Sequence, residues 1–126
     1  MILSTVLLLV PALLVQAGST TTMFKLSYRS DFNNSFTGQF QVSIPKGSIL
    51  FGAMRKIHQL NQDKFSFQYT VEDYGLYLQS VNGLQANTSS HTYWELLKAP
   101  NKPLTVGIGC YVVQSNDHII LRFTSY

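Results

Sequence analysis

At 126 residues, 45% hydrophobic and 13% aromatic, the chain has room for one small domain with one core, and its composition excludes a disordered polypeptide. The net charge of +3 comes from Lys and Arg scattered singly; with no basic run and no basic–aromatic interleaving, nucleic acid is excluded as the expected partner. A single cysteine, Cys110, excludes an intrachain disulfide framework, so the fold must rest on its apolar core.

In chain order, Ile2 to Val15 is almost wholly apolar, is broken by Pro11, and ends at the small-x-small site Val15-Gln16-Ala17. This stretch falls short of the about 20 residues that a membrane-spanning helix needs. Residues 1–17 are therefore expected to be a signal peptide and residues 18–126 one secreted, extracellular domain. No later stretch approaches membrane-spanning length, so no membrane span is expected.

Met23 to Arg29 alternates Phe24, Leu26 and Tyr28 with Lys25, Ser27 and Arg29, the period of a half-buried strand. Ser30 to Ser35 reads as a turn region, and Phe40, Val42 and Ile44 alternate again before Pro45-Lys46-Gly47. The two strands predict an antiparallel hairpin with a long loop. Ser48 is the expected N-cap of a helix whose apolar stripe is Leu50, Ala53, Met54, Ile57 and Leu60, ending at Asn61-Gln62-Asp63.

Strand periodicity returns at Phe65, Phe67, Tyr69 and Val71. It continues from Leu76 to Val81, where Asn82-Gly83 signals a tight turn, and again from Tyr93 to Leu97. Tyr111-Val112-Val113 and Ile119 to Phe123 flank Ser115-Asn116-Asp117 and predict a closing hairpin. One helix among many strands covers one sheet face, so the expected class is α+β, a single small domain with the helix packed on a mixed or antiparallel sheet.

No catalytic constellation emerges. The acids are dispersed, and the adjacent pair Glu72-Asp73 would point to opposite faces of a strand. No nucleophile elbow, phosphate loop or dinucleotide fingerprint is present. His58, His91 and His118 lie far apart without metal-ligand spacing and read as surface histidines. The expectation is a protein that is not an enzyme and has no metal site. Cys110 reads as a buried thiol, with an intermolecular disulfide as the alternative. Asn33-Asn34-Ser35 and Asn87-Thr88-Ser89 are sequons, making Asn33 and Asn87 the expected glycosylation sites of a glycoprotein. Apolar and aromatic groups concentrate in the second half at Tyr74, Tyr77, Leu78, Tyr93, Trp94, Leu96 and Leu104. Such a set serves a core as readily as a ligand.

Gly47-Ser48-Ile49-Leu50, Phe65-x-Phe67, Tyr74-Gly75-Leu76, Ser80 to Leu84, Thr92-Tyr93-Trp94-Glu95-Leu96-Leu97, Lys102-Pro103-Leu104, Tyr111-Val112-Val113 and Phe123 to Tyr126 follow one another at fixed spacing. In this order they resemble the C-terminal domain of the vitamin B12 carriers, transcobalamin, intrinsic factor and haptocorrin, from about Gly47 to the end of the chain. The resemblance implies a β-grasp-like fold. It also implies a role as one of two jaws, the other an N-terminal α/α barrel, that close on a corrin ring. Cobalamin is the implied ligand. Leu78, Leu96 and Leu104 match the family's corrin contacts, with backbone near Tyr74 and Gly75; Tyr74 stands where the family has Trp. The cobalt-proximal histidine of some members belongs to the other jaw, so His58, His91 and His118 do not inherit that role.

Burying a leucine fully is worth about 1.5–3 kcal/mol, so three contacts give roughly 5–9 kcal/mol, against an association cost of about 4–15 kcal/mol. The expectation is a corrinoid-binding module of vitamin B12 transport that works weakly alone, as a dimer through its apolar face or Cys110, or with a separate barrel-domain chain, a cell-surface protein being a further candidate partner. The alternative is a secreted protein-interaction domain that kept the carrier fold and lost the vitamin.

Overall fold

The computed structural model describes residues 20–126; the signal peptide expected at 1–17 lies outside them. The elements are β1 (Thr21–Ser30), β2 (Asn33–Pro45), α1 (Leu50–Leu60), β3 (Phe67–Glu72), β4 (Gly75–Val81), β5 (Leu84–Gln85), β6 (Thr92–Lys98), β7 (Lys102–Pro103) and β8 (Asp117–Ser125). A mixed five-stranded sheet runs in the order β2-β1-β8-β6-β7, with β1 and β8 parallel, and a smaller sheet runs β3-β4-β5. Among the described residues, the α+β class with one α-helix is therefore observed.

The alternation read in β1 buries Phe24, Leu26 and Tyr28, and the central β8 adds Ile119, Leu121 and Phe123 to the same core. Helix α1 buries Leu50, Ala53, Met54 and Ile57 against it. Gly38 faces Tyr28 across the β1–β2 ladder, and a Cβ there would collide with the tyrosine ring, so glycine lets that ring lie flat across β2. Tyr28 Oη in turn accepts a hydrogen bond from Asn82 Nδ2 at 3.0 Å. Asn82 and Gly83 have φ of 47° and 82°, the two left-handed residues of the expected tight turn between β4 and β5.

Seven expectations are corrected. The β1–β2 connection is a tight turn at Asp31-Phe32, and Asn33 to Ser35 already belong to β2. The turn is held down by β8: Arg122 Nε and Nη2 donate to Asp31 at 3.1 and 2.7 Å, Thr124 Oγ1 donates to it at 2.7 Å, and Phe32 meets Phe123 edge-on. Ser48 is not the helix cap; its hydroxyl donates to Pro45 O at 2.6 Å, and Ile49 occupies the N-cap without a side-chain bond. The first-turn amides find loop carbonyls instead, Leu50 N–H on Tyr111 O and Phe51 N–H on Ile108 O, both at 2.8 Å.

Leu60 is exposed at the end of the helix, whereas Phe65, a few residues beyond, is buried in the core. His58 ties that residue to the helix, with Nδ1 2.7 Å from Phe65 O. Phe65 therefore precedes β3 rather than belonging to it. The expected closing hairpin does not form. β8 is paired on both sides, by β1 and β6, so the segment at Tyr111 to Val113 bridges Ile49 instead. Finally, Cys110 is exposed rather than buried. The surface reading of the histidines holds for His91 alone; His58 and His118 are half-buried, His118 with Nε2 2.7 Å from Ser27 Oγ.

The loop before β8 is anchored at Asp117, whose side chain is fully buried and accepts from Tyr111 Oη at 2.6 Å and Gln114 N–H at 3.0 Å, with Lys98 Nζ at 3.3 Å. Burial first, then the bond to Asp117, pushes the Tyr111 phenol up to about 12. A tyrosine raised from 10 to about 12 holds its proton more tightly when folded. Its contribution to stability is thus complete below pH 10 and is lost as pH rises through about 12. Tyr111→Phe is expected to remove this alkaline loss, flattening the stability curve between pH 10 and 12 in urea titrations; an unchanged slope would contradict it.

Candidate functional site

Strands β4 and β6 and the loop anchored on the helix N-terminus converge on a cleft of about 200 Å³. Its walls are Leu76, Leu78, Leu96 and Ile108, with Trp94 at the base and Tyr74 and Tyr77 toward the rim. The alternation of β6 places Trp94 and Leu96 on one face, and β4 presents Leu76 and Leu78 from the opposite sheet. The loop closes up because its glycines permit it: a Cβ on Gly109 would lie 3.2 Å from the Leu76 side chain, and one on Gly107 would lie 3.3 Å from Leu76 O. The Ile108 and Tyr111 carbonyls that satisfy α1 fix this loop from behind.

Of the residues singled out from the sequence, Tyr74, Leu78 and Leu96 meet in this cleft. Gly75, with φ of 121°, makes the turn that carries Tyr74 out from β4. Leu104 lies beside the cleft rather than in its lining, held by its N–H to Leu96 O at 2.9 Å. Trp94 is a core residue: it is 4% exposed, its Nε1–H donates to Leu84 O at 3.0 Å, and its ring packs on Phe123 with centroids 5.1 Å apart. Tyr74 is the opposite case, 73% exposed.

Leu76, Ile108, Gly107, Gly109 and Cys110 were not anticipated. Leu76 could have been found from its place on β4, but the loop residues enter only because their carbonyls cap the helix, which no local pattern reveals. Among the described residues, no group of three or more His, Cys, Asp or Glu side chains could hold a metal ion, and no helix is long and apolar enough to cross a membrane.

The cleft is smaller than the about 300–1,000 Å³ of sites that enclose a ligand. It can seat an edge or a projecting apolar group of a larger molecule, with backbone carbonyls and the tyrosine hydroxyls for polar contacts at the rim. That is the chemistry of half a site.

On one side of Tyr74 and Tyr77 is this apolar cleft; on the other, a polar groove of about 710 Å³ extends along Thr70, Gln79, Gln85 and Asn87. Burial, reinforced by Tyr74 and Tyr126 nearby, raises the Tyr77 phenol above its ordinary value.

Residues 47–125 match the family described as a domain of unknown function, DUF4430. Human (Homo sapiens) transcobalamin-1 is 34% identical over 85 residues, covering 68% of this chain and 19% of its own length. Cobalamin binding intrinsic factor of Mus musculus is 32% identical over 91 residues, covering 72% of this chain and 21% of its own. The crystal structure of haptocorrin in complex with Cbi superimposes with a TM-score of 0.76 at 29% identity, covering 86% of this chain and 26% of that one. The chain thus spans about a fifth of the length of the curated relatives it matches. Those relatives are named for binding or carrying cobalamin rather than for catalysis. By the family model, the sequence relatives and the shared fold together, the chain belongs to the DUF4430 family as a C-terminal, transcobalamin-like domain of the kind found in the cobalamin carriers.

Proposed function

We propose that the chain is a secreted corrinoid-binding module that offers one jaw of a two-jaw site and binds cobalamin weakly by itself. The observation that carries this reading is the apolar cleft between Leu78 and Leu96 on a fold shared with haptocorrin in complex with Cbi. Leu96, Leu104 and the exposed Tyr74 supply the surface a corrin can cover, while the carbonyls of the Tyr74-Gly75 turn can accept from its peripheral amides.

Burial sharpens the affinity argument. Leu78 is already 4% exposed in the free domain, so a ligand resting on it removes almost no further surface from water. The gain is left to Leu96, Leu104 and Tyr74, at most about 1.5–3 kcal/mol each. Association costs about 4–15 kcal/mol. Apolar contacts alone therefore leave about 5 kcal/mol at best, a Kd of roughly a few hundred micromolar; hydrogen bonds to the peripheral amides would have to supply anything tighter, and tight capture needs a second jaw that covers the opposite side of the ring.

The test is to add a separately produced N-terminal barrel domain of haptocorrin to the purified chain and titrate with cobinamide. A ternary complex at least a hundred-fold tighter than the chain's own is expected; no gain over the barrel domain alone would overturn the jaw assignment.

The second reading, a protein-interaction domain, draws on the exposure of Tyr69, Val71 and Tyr74, three large side chains on or next to β3. It predicts that corrinoid binding is absent while Tyr74 serves as an anchor for a protein.

A further inference from the structure

We propose that Asn87 carries an N-linked glycan whose first sugars lie in the polar groove beside the cleft, so that the groove is lined for the protein's own carbohydrate. This inference does not need the corrinoid reading to hold, although both draw on Tyr74, whose ring stands between the cleft and the groove.

Asn87-Thr88-Ser89 is a sequon, and the structure places it on the wall of the groove rather than merely at the surface. Asn87 is held rigidly: its N–H donates to Thr92 Oγ1 at 2.9 Å, and its carbonyl accepts from Thr92 N–H at 3.1 Å. Its side-chain Oδ1 accepts from Ser89 N–H at 2.8 Å and from Ser89 Oγ at 2.5 Å. Nδ2, the atom that would carry the sugar, makes no hydrogen bond among the described residues. The side chain is thus oriented by its oxygen and leaves its nitrogen for substitution.

The groove has the composition of a carbohydrate seat. Tyr74 and Tyr77 offer aromatic faces, whose negative quadrupole attracts the C–H edges of a pyranose ring. Gln85 offers its amide to the hydroxyls, and Gln79, whose Nε2 donates to Ala86 O at 2.8 Å, offers its Oε1. Thr70 Oγ1 is shielded from solvent and has no hydrogen-bond partner among the described residues, although Thr70 lines this same groove. A buried hydroxyl left unpaired costs free energy, so this side of the groove is not fully satisfied by the protein alone.

At about 710 Å³ the groove lies within the range of small-molecule sites, whereas the neighbouring apolar cleft does not. Tethering decides the occupant. A sugar attached at Asn87 is present at an effective concentration of order millimolar, so contacts too weak to hold a free saccharide hold this one. Asn33, at the β1–β2 turn, does not line this groove, and a glycan there would not enter it.

The experiment is to secrete the full chain from mammalian cells, map both sequons by mass spectrometry, and follow site-specific release by peptide N-glycosidase from the native protein. Asn87 is expected to be occupied, and its release to be at least fivefold faster in Tyr74→Ala than in the wild type, with Asn33 release unaffected where that site is occupied. Tyr74 is exposed, so this variant keeps its fold; circular dichroism checks that directly. An unmodified Asn87, or equal release rates in wild type and Tyr74→Ala, would overturn the proposal.

Discussion

Leu96→Asp is expected to eliminate corrinoid binding while leaving a folded domain. Leu96 is half-buried on the face of β6 that carries Trp94, so a carboxylate there keeps part of its hydration in the free protein, and the cost to stability is about 1–2 kcal/mol. A corrin edge seated in the cleft would strip that hydration with no cation in the lining to compensate it. An uncompensated buried charge costs several kcal/mol, and 3 kcal/mol alone is a factor of more than a hundred in affinity. Leu96→Met, close in volume and apolar, should bind within a few-fold of wild type. Leu104→Asp, beside the cleft but outside its lining, should weaken binding by a smaller factor. Absorbance titration with cobinamide, alongside urea denaturation, reads all three variants. Binding by Leu96→Asp within threefold of wild type would remove the cleft from the account.

The second large effect is on stability, and it separates two aromatic residues that look alike in sequence. Trp94→Ala is expected to cost about 3–5 kcal/mol. It empties the space against Phe123 and Phe36 and leaves Leu84 O without its indole donor. For a domain of this size that lowers the melting temperature by roughly 20 °C. Tyr74→Ala should change stability by no more than about 0.5 kcal/mol, since its ring stands mostly in water, yet it should weaken ligand binding. Thermal unfolding of the two variants decides this; a Trp94→Ala loss below about 1 kcal/mol would mean that the indole belongs to the binding surface and not to the core.

This pair also marks how far the sequence could be read. Strand periodicity is local physics, so the alternation of β1, the stripe of α1 and the Asn82-Gly83 turn were legible, and with them the α+β class. Burial was less so. Trp94, Leu96 and Tyr74 shared one apolar, aromatic stretch, and only the approach of β4 to β6 made the first a floor, the second a wall and the third a rim. The errors share one cause, a tertiary partner that outcompeted a local preference. Ser48 lost the cap because loop carbonyls reached the helix amides first. The Tyr111 to Val113 segment lost its hairpin because β1 and β6 had taken both edges of β8. The tight turn at Asp31 depends on Arg122 and Thr124, far away in the chain. Cys110 is exposed because the loop turns its Ile108 inward and leaves the thiol at the cleft's edge.

The family resemblance reached what periodicity could not. The motifs from Gly47 onward coincide with the 47–125 span of the family match, and of the five residues that the resemblance pointed to, Tyr74, Leu78 and Leu96 line one cleft. Leu104 lies outside that lining, its N–H on Leu96 O and its side chain partly buried against the core.

The central claim is that this single domain retains the corrin-facing half of a carrier site. Calorimetric titration of the purified, secreted chain with cyanocobalamin and with cobinamide tests it most directly. The account predicts saturable binding with one site and a Kd between about a micromolar and a few hundred micromolar, lost in Leu96→Asp. Absence of any saturable heat up to about a millimolar of either corrinoid, from a protein shown to be folded, would contradict it.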